Sequence, residues 1–261
     1  VRFRQGMPEK IGGWERISSS FFLGVCRSLH SWVTLVNLTI TSVGTHLKYY
    51  IENGGAYYDI TPLRATVTLS NPFATVSGSA TVTVTDANGG YTNGDFVTFS
   101  NASAAGGLTL NGEFQITFTT GNTYTIVAAS TAGSSATGGG TVTAAYQINT
   151  GVALESPLVG WSAGTWGEGT WGNGGASTES LRIWSQGNFG EDLILGFRGS
   201  PLYFWDASEN TPLDNRATLL SAETGASNVP TSQNIILVSD INRFVFCFGA
   251  NTLGTTTQDP M

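Results

Sequence analysis

Three tryptophans recur every five residues, Trp161, Trp166 and Trp171, between the glycines of the stretch 160–175. An indole presents a flat apolar face and one N–H donor, so this spacing suits an aromatic platform for sugar rings. It equally suits a long loop whose rings plug gaps against neighbouring sheets or subunits, because a sugar site also needs convergent polar groups. Glu191, Asp192 and Asp206 could supply the carboxylate pair that glycoside hydrolysis requires, although acids at hairpin ends also cap turns. Asp86 and Asn88, with Asn93 and Asp95, carry oxygens that could cradle a calcium ion, and the same Asn/Asp-Gly pairs suit tight hairpins. His30 and His46 have no Cys, Asp or Glu nearby at metal-ligand spacing. Ser180 follows Glu179 without a Gly-x-Ser-x-Gly elbow. Gly138, Gly139 and Gly140 precede no Lys-Ser/Thr pair and so form no phosphate loop. The expectation is a chain with no catalytic residues, no metal site and no cofactor.

The composition narrows the function classes further. Eleven Lys+Arg stand against 18 Asp+Glu, a formal charge of −7, and charged residues are only 11% of the 261. Lys10 and Lys48 are the only lysines. Nucleic-acid affinity comes mainly from basic side chains, so a protein that grips phosphates is disfavoured. No apolar run approaches the roughly 18 residues of a membrane helix. With 40% hydrophobic residues the chain can bury a core. Cys26 and Cys247 read as small buried hydrophobes rather than a staple. The opening Val1 and the closing stretch from Gln258 to Met261 suggest a segment of a longer polypeptide.

The elements that must position these residues are strands. Phe114, Ile116 and Phe118 alternate with polar residues, as do Val142, Ala144, Tyr146 and Ile148, the mark of strands with one buried face. The run from Arg243 to Phe248 is apolar on both faces and reads as a strand sandwiched between two layers. Asn53-Gly54-Gly55, Asn88-Gly89-Gly90 and Asn93-Gly94-Asp95 suit tight turns that need positive φ. No amphipathic helix longer than about two turns is expected. From about Thr66 to Ile148 the chain turns rich in Thr, Ala, Gly and Val and lacks Trp, Cys, His, Lys and Arg. This change predicts a separate β-sandwich module, immunoglobulin-like or similar, over 66–148.

The flanks show an internal likeness. Residues 44–59 can be laid over 190–206 with one gap, each unit a strand, a turn and a second strand ending in two aromatics and Asp59 or Asp206. Each is preceded by a tryptophan, Trp32 or Trp184. A third, weaker unit runs from Asn234 to Phe248. Repeated antiparallel units of this kind read as propeller blades. The predicted fold is all-β, a partial β-propeller over 1–65 and 149–261 interrupted by the sandwich.

Several stretches resemble tail proteins of short-tailed bacteriophages: the opening from Arg2 to Trp14, Arg27 to Trp32, Tyr58 to Arg64, the Gly/Trp loop, and Val238-Ser239-Asp240 with Arg243. They are similar to the large nozzle, or tail tubular, proteins over both flanks. The resemblance implies a propeller-containing structural subunit, not an enzyme, of a homo-hexameric ring that continues the DNA ejection channel. It also implies contacts with the phage adaptor ring and with tail fibre or spike proteins, and assembly in the host cytoplasm into a virion. Duplex DNA would pass through without specific binding, which a net-acidic, lysine-poor chain permits. Arg2, Arg4, Arg27 and Arg64 are candidate anchors of subunit interfaces, with buried pairing inside the chain as the equal alternative, and Trp161, Trp166 and Trp171 join them. The rivals are a receptor- or glycan-binding tail protein, using the tryptophan loop or the sandwich, and a glycosidase acting near Glu191.

Overall fold

The computed structural model describes residues 2–9, 18–87, 90–154, 181–208, 212–239, 241–252 and 255, with only the backbone of Arg2, Glu9, Phe118 and Thr119. Gly54 and Gly55 hold φ of 59° and 88°, the left-handed conformation that lets Tyr49–Asn53 fold straight back into Ala56–Asp59. With Cys26–Val33 and Thr39–Thr45 these strands make a first sheet, four antiparallel strands in chain order. Trp184–Phe189, Asp192–Phe197, Tyr203–Trp205 and Thr218–Leu219 make a second sheet of the same plan. Ile235–Val238 and Val245–Phe248 pair as a third, two-stranded sheet, and Arg2–Arg4 pairs with Met7–Glu9 as an N-terminal hairpin. The chain is all-β: among the described residues the helical content is one 3-10 turn, Leu220–Ala222.

Side chains on a strand alternate between faces, and the Asp192–Phe197 strand uses both. Leu193 and Leu195 enter a core with Trp32, Ile40 and Ile51 of the first sheet. Ile194 points the other way, into a core with Ile236 and Val238 of the third. The second sheet is therefore stacked face to face between the other two. Two tryptophans lock the first pair of sheets by exchange. The Trp32 indole N–H donates to the Glu191 carbonyl at 2.8 Å, and the Trp184 indole N–H donates to the Thr45 carbonyl at 2.7 Å. Each buried indole thus satisfies its single donor on the opposite sheet. Gly44 makes this approach possible: a Cβ there would lie 2.6 Å from Trp184 Cδ1.

Between the first and second sheets in sequence, two further sheets share a core. Leu63–Ser70, Phe96–Ser100, Gly112–Gln115 and Thr141–Gln147 form one. Phe73–Thr75, Thr81–Thr85, Thr117–Thr120, Thr123–Val127 and Ala136–Gly138 form the other. Phe73, Val84, Phe99, Tyr124 and Tyr146 pack between them. Three Tyr side chains need polar partners in this core. Tyr124 and Tyr146 share a hydroxyl hydrogen bond of 2.8 Å, Tyr146 donates to the Asp86 carboxylate at 2.6 Å, and Tyr91 donates to the Asp86 carbonyl at 2.9 Å.

Four sequence expectations change. The alternation through Phe114, Ile116 and Phe118 is two strands, not one, and they belong to different sheets. The chain crosses at Ile116, which is buried and exchanges backbone hydrogen bonds with Asp95 and Gly94 of 2.7 and 2.8 Å. The likened hairpins are both real, but one is the third and fourth strand of its sheet and the other the second and third. The Val245–Phe248 strand buries one face only: Val245 and Cys247 pack inward, while Phe246 and Phe248 are 47% and 45% exposed. Cys26 is exposed rather than buried, because its strand position faces away from the core, and Cys247 is half-buried.

Candidate functional site

The most concentrated polar cluster joins four elements far apart in sequence. Lys48 is placed by the turn after Thr39–Thr45, where its N–H donates to Thr45 Oγ1 at 2.8 Å and its carbonyl accepts from the Thr45 N–H at 2.8 Å. Its ammonium is 2.7 Å from Asp59, pairs with Glu113, and lies 4.4 Å from the centre of the Phe96 ring. Arg216, just before the last strand of the second sheet, reaches the other Asp59 oxygen at 2.9 Å and Glu113 at 3.6 Å. Gln147 donates to Glu113 at 2.6 Å and to Asp59 at 3.3 Å, and the Thr61 N–H donates to Asp59 at 3.0 Å.

Two cations and two carboxylates make this group neutral. Lys48 is only 2% exposed, so its charge needs both acids to offset the loss of water. Burial alone would raise the Asp59 carboxyl, but Arg216 and Lys48, with hydrogen bonds from Lys48 and Thr61, hold it below the usual carboxylate range. An acid kept ionised and fully engaged is a poor proton donor and a poor base. The cluster ties the first sheet, the edge strand Gly112–Gln115 and the inner strand Thr141–Gln147 of the neighbouring sheet, and the lead-in to Thr218–Leu219.

Among the acids singled out in sequence, Asp192 and Asp206 do meet. Burial, then the charges of Asp206 and Glu191, push the Asp192 carboxyl up. Each acid also staples a turn. Asp192 accepts from the Ala207 N–H at 3.0 Å, Asp206 from the Ser208 N–H at 2.8 Å, and Glu191 from the Leu35 N–H at 2.9 Å. Asp86 and Asp95, considered for calcium, are likewise turned onto protein donors. Asp86 accepts from Tyr146, and the fully buried Asp95 accepts from Thr92, Asn149 and Thr150. Asn88 lies outside the described residues.

The histidines act as turn and sheet braces. His30 shares a hydrogen bond with Asn188 of the second sheet, and His46 Nδ1 accepts from the Val25 N–H at 3.0 Å. Burial, then the charges of Arg27 and Arg182, lowers the His46 pKa.

The candidate anchors are distributed rather than gathered. Arg2 and Arg4 lie on the N-terminal hairpin, where Arg4 is exposed. Arg27 donates to the Ala153 carbonyl. Arg64 lies over the Tyr146 ring at 5.6 Å and lines a cleft of about 420 Å³ with Arg182, Phe197 and Tyr203. Trp161, Trp166, Trp171 and Ser180 lie outside the described residues. Glu113, Gln147 and Arg216 were not singled out by spacing. The available signal was Lys48, a lone cation between Leu47 and Tyr49 in a charge-poor chain.

No family model and no curated protein matches the chain. Among solved structures it is similar to the endosialidase of phage phi92, at a TM-score of 0.31 and 17% identity over 83% of this chain. The chain spans 31% of that structure's length.

Proposed function

We propose that the chain is a non-enzymatic structural part of the tail of a short-tailed phage, contributing propeller blades to a hexameric nozzle around the DNA ejection channel. One observation carries the reading. Three antiparallel sheets are stacked face to face, and the third leaves Ile235, Leu237, Phe246 and Phe248 outward as an apolar face that none of the described residues covers. Blades of a propeller pack in this manner, each covering the next. Two of the stretches that carry the nozzle resemblance, Arg27 to Trp32 and Tyr58 to Arg64, fall on the first sheet and its exit toward the Leu63–Ser70 strand. The formal charge of −7 suits a wall past which DNA slides. In this reading residues 1–65 and 149–261 supply blades. Residues 66–148 supply a sandwich that the Lys48 cluster holds against them, and the ring meets an adaptor above and fibres or spikes at its side.

Gold-labelled antibodies against the chain test the location on virions of the phage that encodes it. Label on the tail axis below the capsid vertex is expected. Label on the capsid shell, or at the outer ends of the fibres, would overturn the reading.

A further inference from the structure

The stack of three sheets carries an apolar face at each end. At one end, the third sheet pairs Ile235 with Phe248 and Leu237 with Phe246 across its two strands. These four side chains point away from the core that takes Ile236 and Val238. At the other end, Trp32 and Ile40 of the first sheet face inward, so Leu29, Ser31 and Val33, with Thr39 and Thr41 beside them, face outward. Leu29 and Val33 are 65% and 56% exposed there. Neither set of residues carries a charge. Single exposed hydrophobics are ordinary, whereas a contiguous apolar face marks a contact surface.

The two faces complement each other in bulk. The third sheet presents two Phe, one Leu and one Ile. The first sheet is lower in its middle, where Ser31 and Thr41 stand opposite each other between Leu29 and Val33. Their hydroxyls share a hydrogen bond of 2.9 Å, so each keeps a partner when water leaves. Both sheet-on-sheet contacts inside the chain likewise set bulk on a small residue. Trp184 covers Gly44, and Val238 covers Gly187, where a Cβ would lie 2.9 Å from Val238 Cγ2. The third sheet of one copy on the first sheet of another therefore continues the stacking that joins neighbouring sheets within one chain. Two third sheets would instead set Phe against Phe, bulk on bulk.

We propose that the Ile235, Leu237, Phe246 and Phe248 face docks head to tail on the Leu29, Ser31 and Val33 face of a second copy of this chain. Such a contact leaves one free face of each kind on every assembly until a ring closes. Head-to-tail stacking does not depend on the nozzle reading: gold label reports where the chain sits, and association in solution reports whether its copies stack.

Sedimentation velocity of the 261-residue chain, from micromolar to near-millimolar concentration, tests this docking. Concentration-dependent association is expected. Leu237→Glu and Leu29→Glu each place a carboxylate on one face, at a position already exposed in the single chain. Each variant alone should keep the parent's circular dichroism spectrum and associate about tenfold more weakly or worse. An equimolar mixture of the two should form a dimer through the one intact pair of faces and stop there. Where either variant misfolds, Ile235→Glu or Val33→Glu blocks the same face. Val127→Glu, an exposed apolar position of the sandwich, should associate as the parent does. A parent chain that stays monomeric throughout would overturn the proposal, as would a mixture that stays monomeric. So would a folded Leu29→Glu variant that still dimerises, the mark of third sheets pairing with each other.

Discussion

Lys48 and Glu113 are 65 residues apart in the chain, yet they form an ion pair in which the lysine side chain is 3% exposed. One side chain belongs to the first sheet and the other to the sheet that begins at Leu63. The pair, with Asp59 and Arg216, is the electrostatic junction between them. Removing the cation alone leaves two carboxylates facing a single guanidinium. Lys48→Met should therefore lose about 2 to 4 kcal/mol of stability in urea unfolding, below the full cost of a broken buried pair because Glu113 is partly solvated. The double variant Lys48→Met/Glu113→Gln should recover much of that loss. Equal losses in both would show that packing, not charge balance, is what Lys48 provides.

His46 supplies a pH signature. Its ring is harder to protonate in the folded chain than its ordinary value of 6.5 implies. The unfolded chain then binds more protons around and below that pH, so stability rises with pH through this window and falls on acidification. Burial is the main cause, with the charges of Arg27 and Arg182 adding to it. Melting temperature should decline from pH 7.5 to pH 5.5 in the parent chain and less steeply in His46→Asn. Identical slopes in the two proteins would remove His46 from the account.

Asp192 has the opposite linkage. Its raised pKa means that the folded chain holds the proton more tightly, so the carboxylate form at neutral pH is the unfavourable one. Asp192→Asn retains an oxygen for the Ala207 N–H and discards the repulsion from Asp206 and Glu191. The variant should melt higher than the parent at pH 7, with the gain vanishing toward pH 3. A lower melting temperature at pH 7 would mean that the charge, and not only the acceptor, is needed at that turn.

Gly44 lets the first two sheets approach. A Cβ at this position would meet Ser28 Oγ at 2.4 Å and Trp184 Cδ1 at 2.6 Å. Gly44→Ala should cost about 1 to 3 kcal/mol through overpacking, and near-ultraviolet dichroism from Trp184 should change with it. Retained stability with an unchanged signal would show that the tryptophan can move aside freely.

Much of this architecture was legible because it is encoded by neighbours in sequence. Asn53-Gly54-Gly55 and Asn93-Gly94 announce positive φ, and Gly54, Gly55 and Gly94 adopt it. Val142, Ala144 and Tyr146 announce one buried face, and all three are fully buried. Strand exchange at Ile116 was not legible, since alternation continues unbroken when a chain passes from one sheet to another across a shared core. Nor could the Arg243 to Phe248 run reveal that nothing described covers its outer face. The Lys48 cluster was hidden for a different reason. Ion pairs between distant segments leave no spacing rule: in the sequence Asp59 only ends a hairpin unit, and Lys48 is only one of two lysines. Arg64 was placed among candidate anchors by its type alone, and only the fold shows two of its nitrogens buried without partners among the described residues.

The central claim is that these stacked sheets are blades of a ring through which duplex DNA passes. Averaged electron-microscope top views of the complete gene product containing this chain test it most directly. The account predicts sixfold rings with a central opening wide enough for duplex DNA. Monomeric or threefold particles without an axial opening would contradict it.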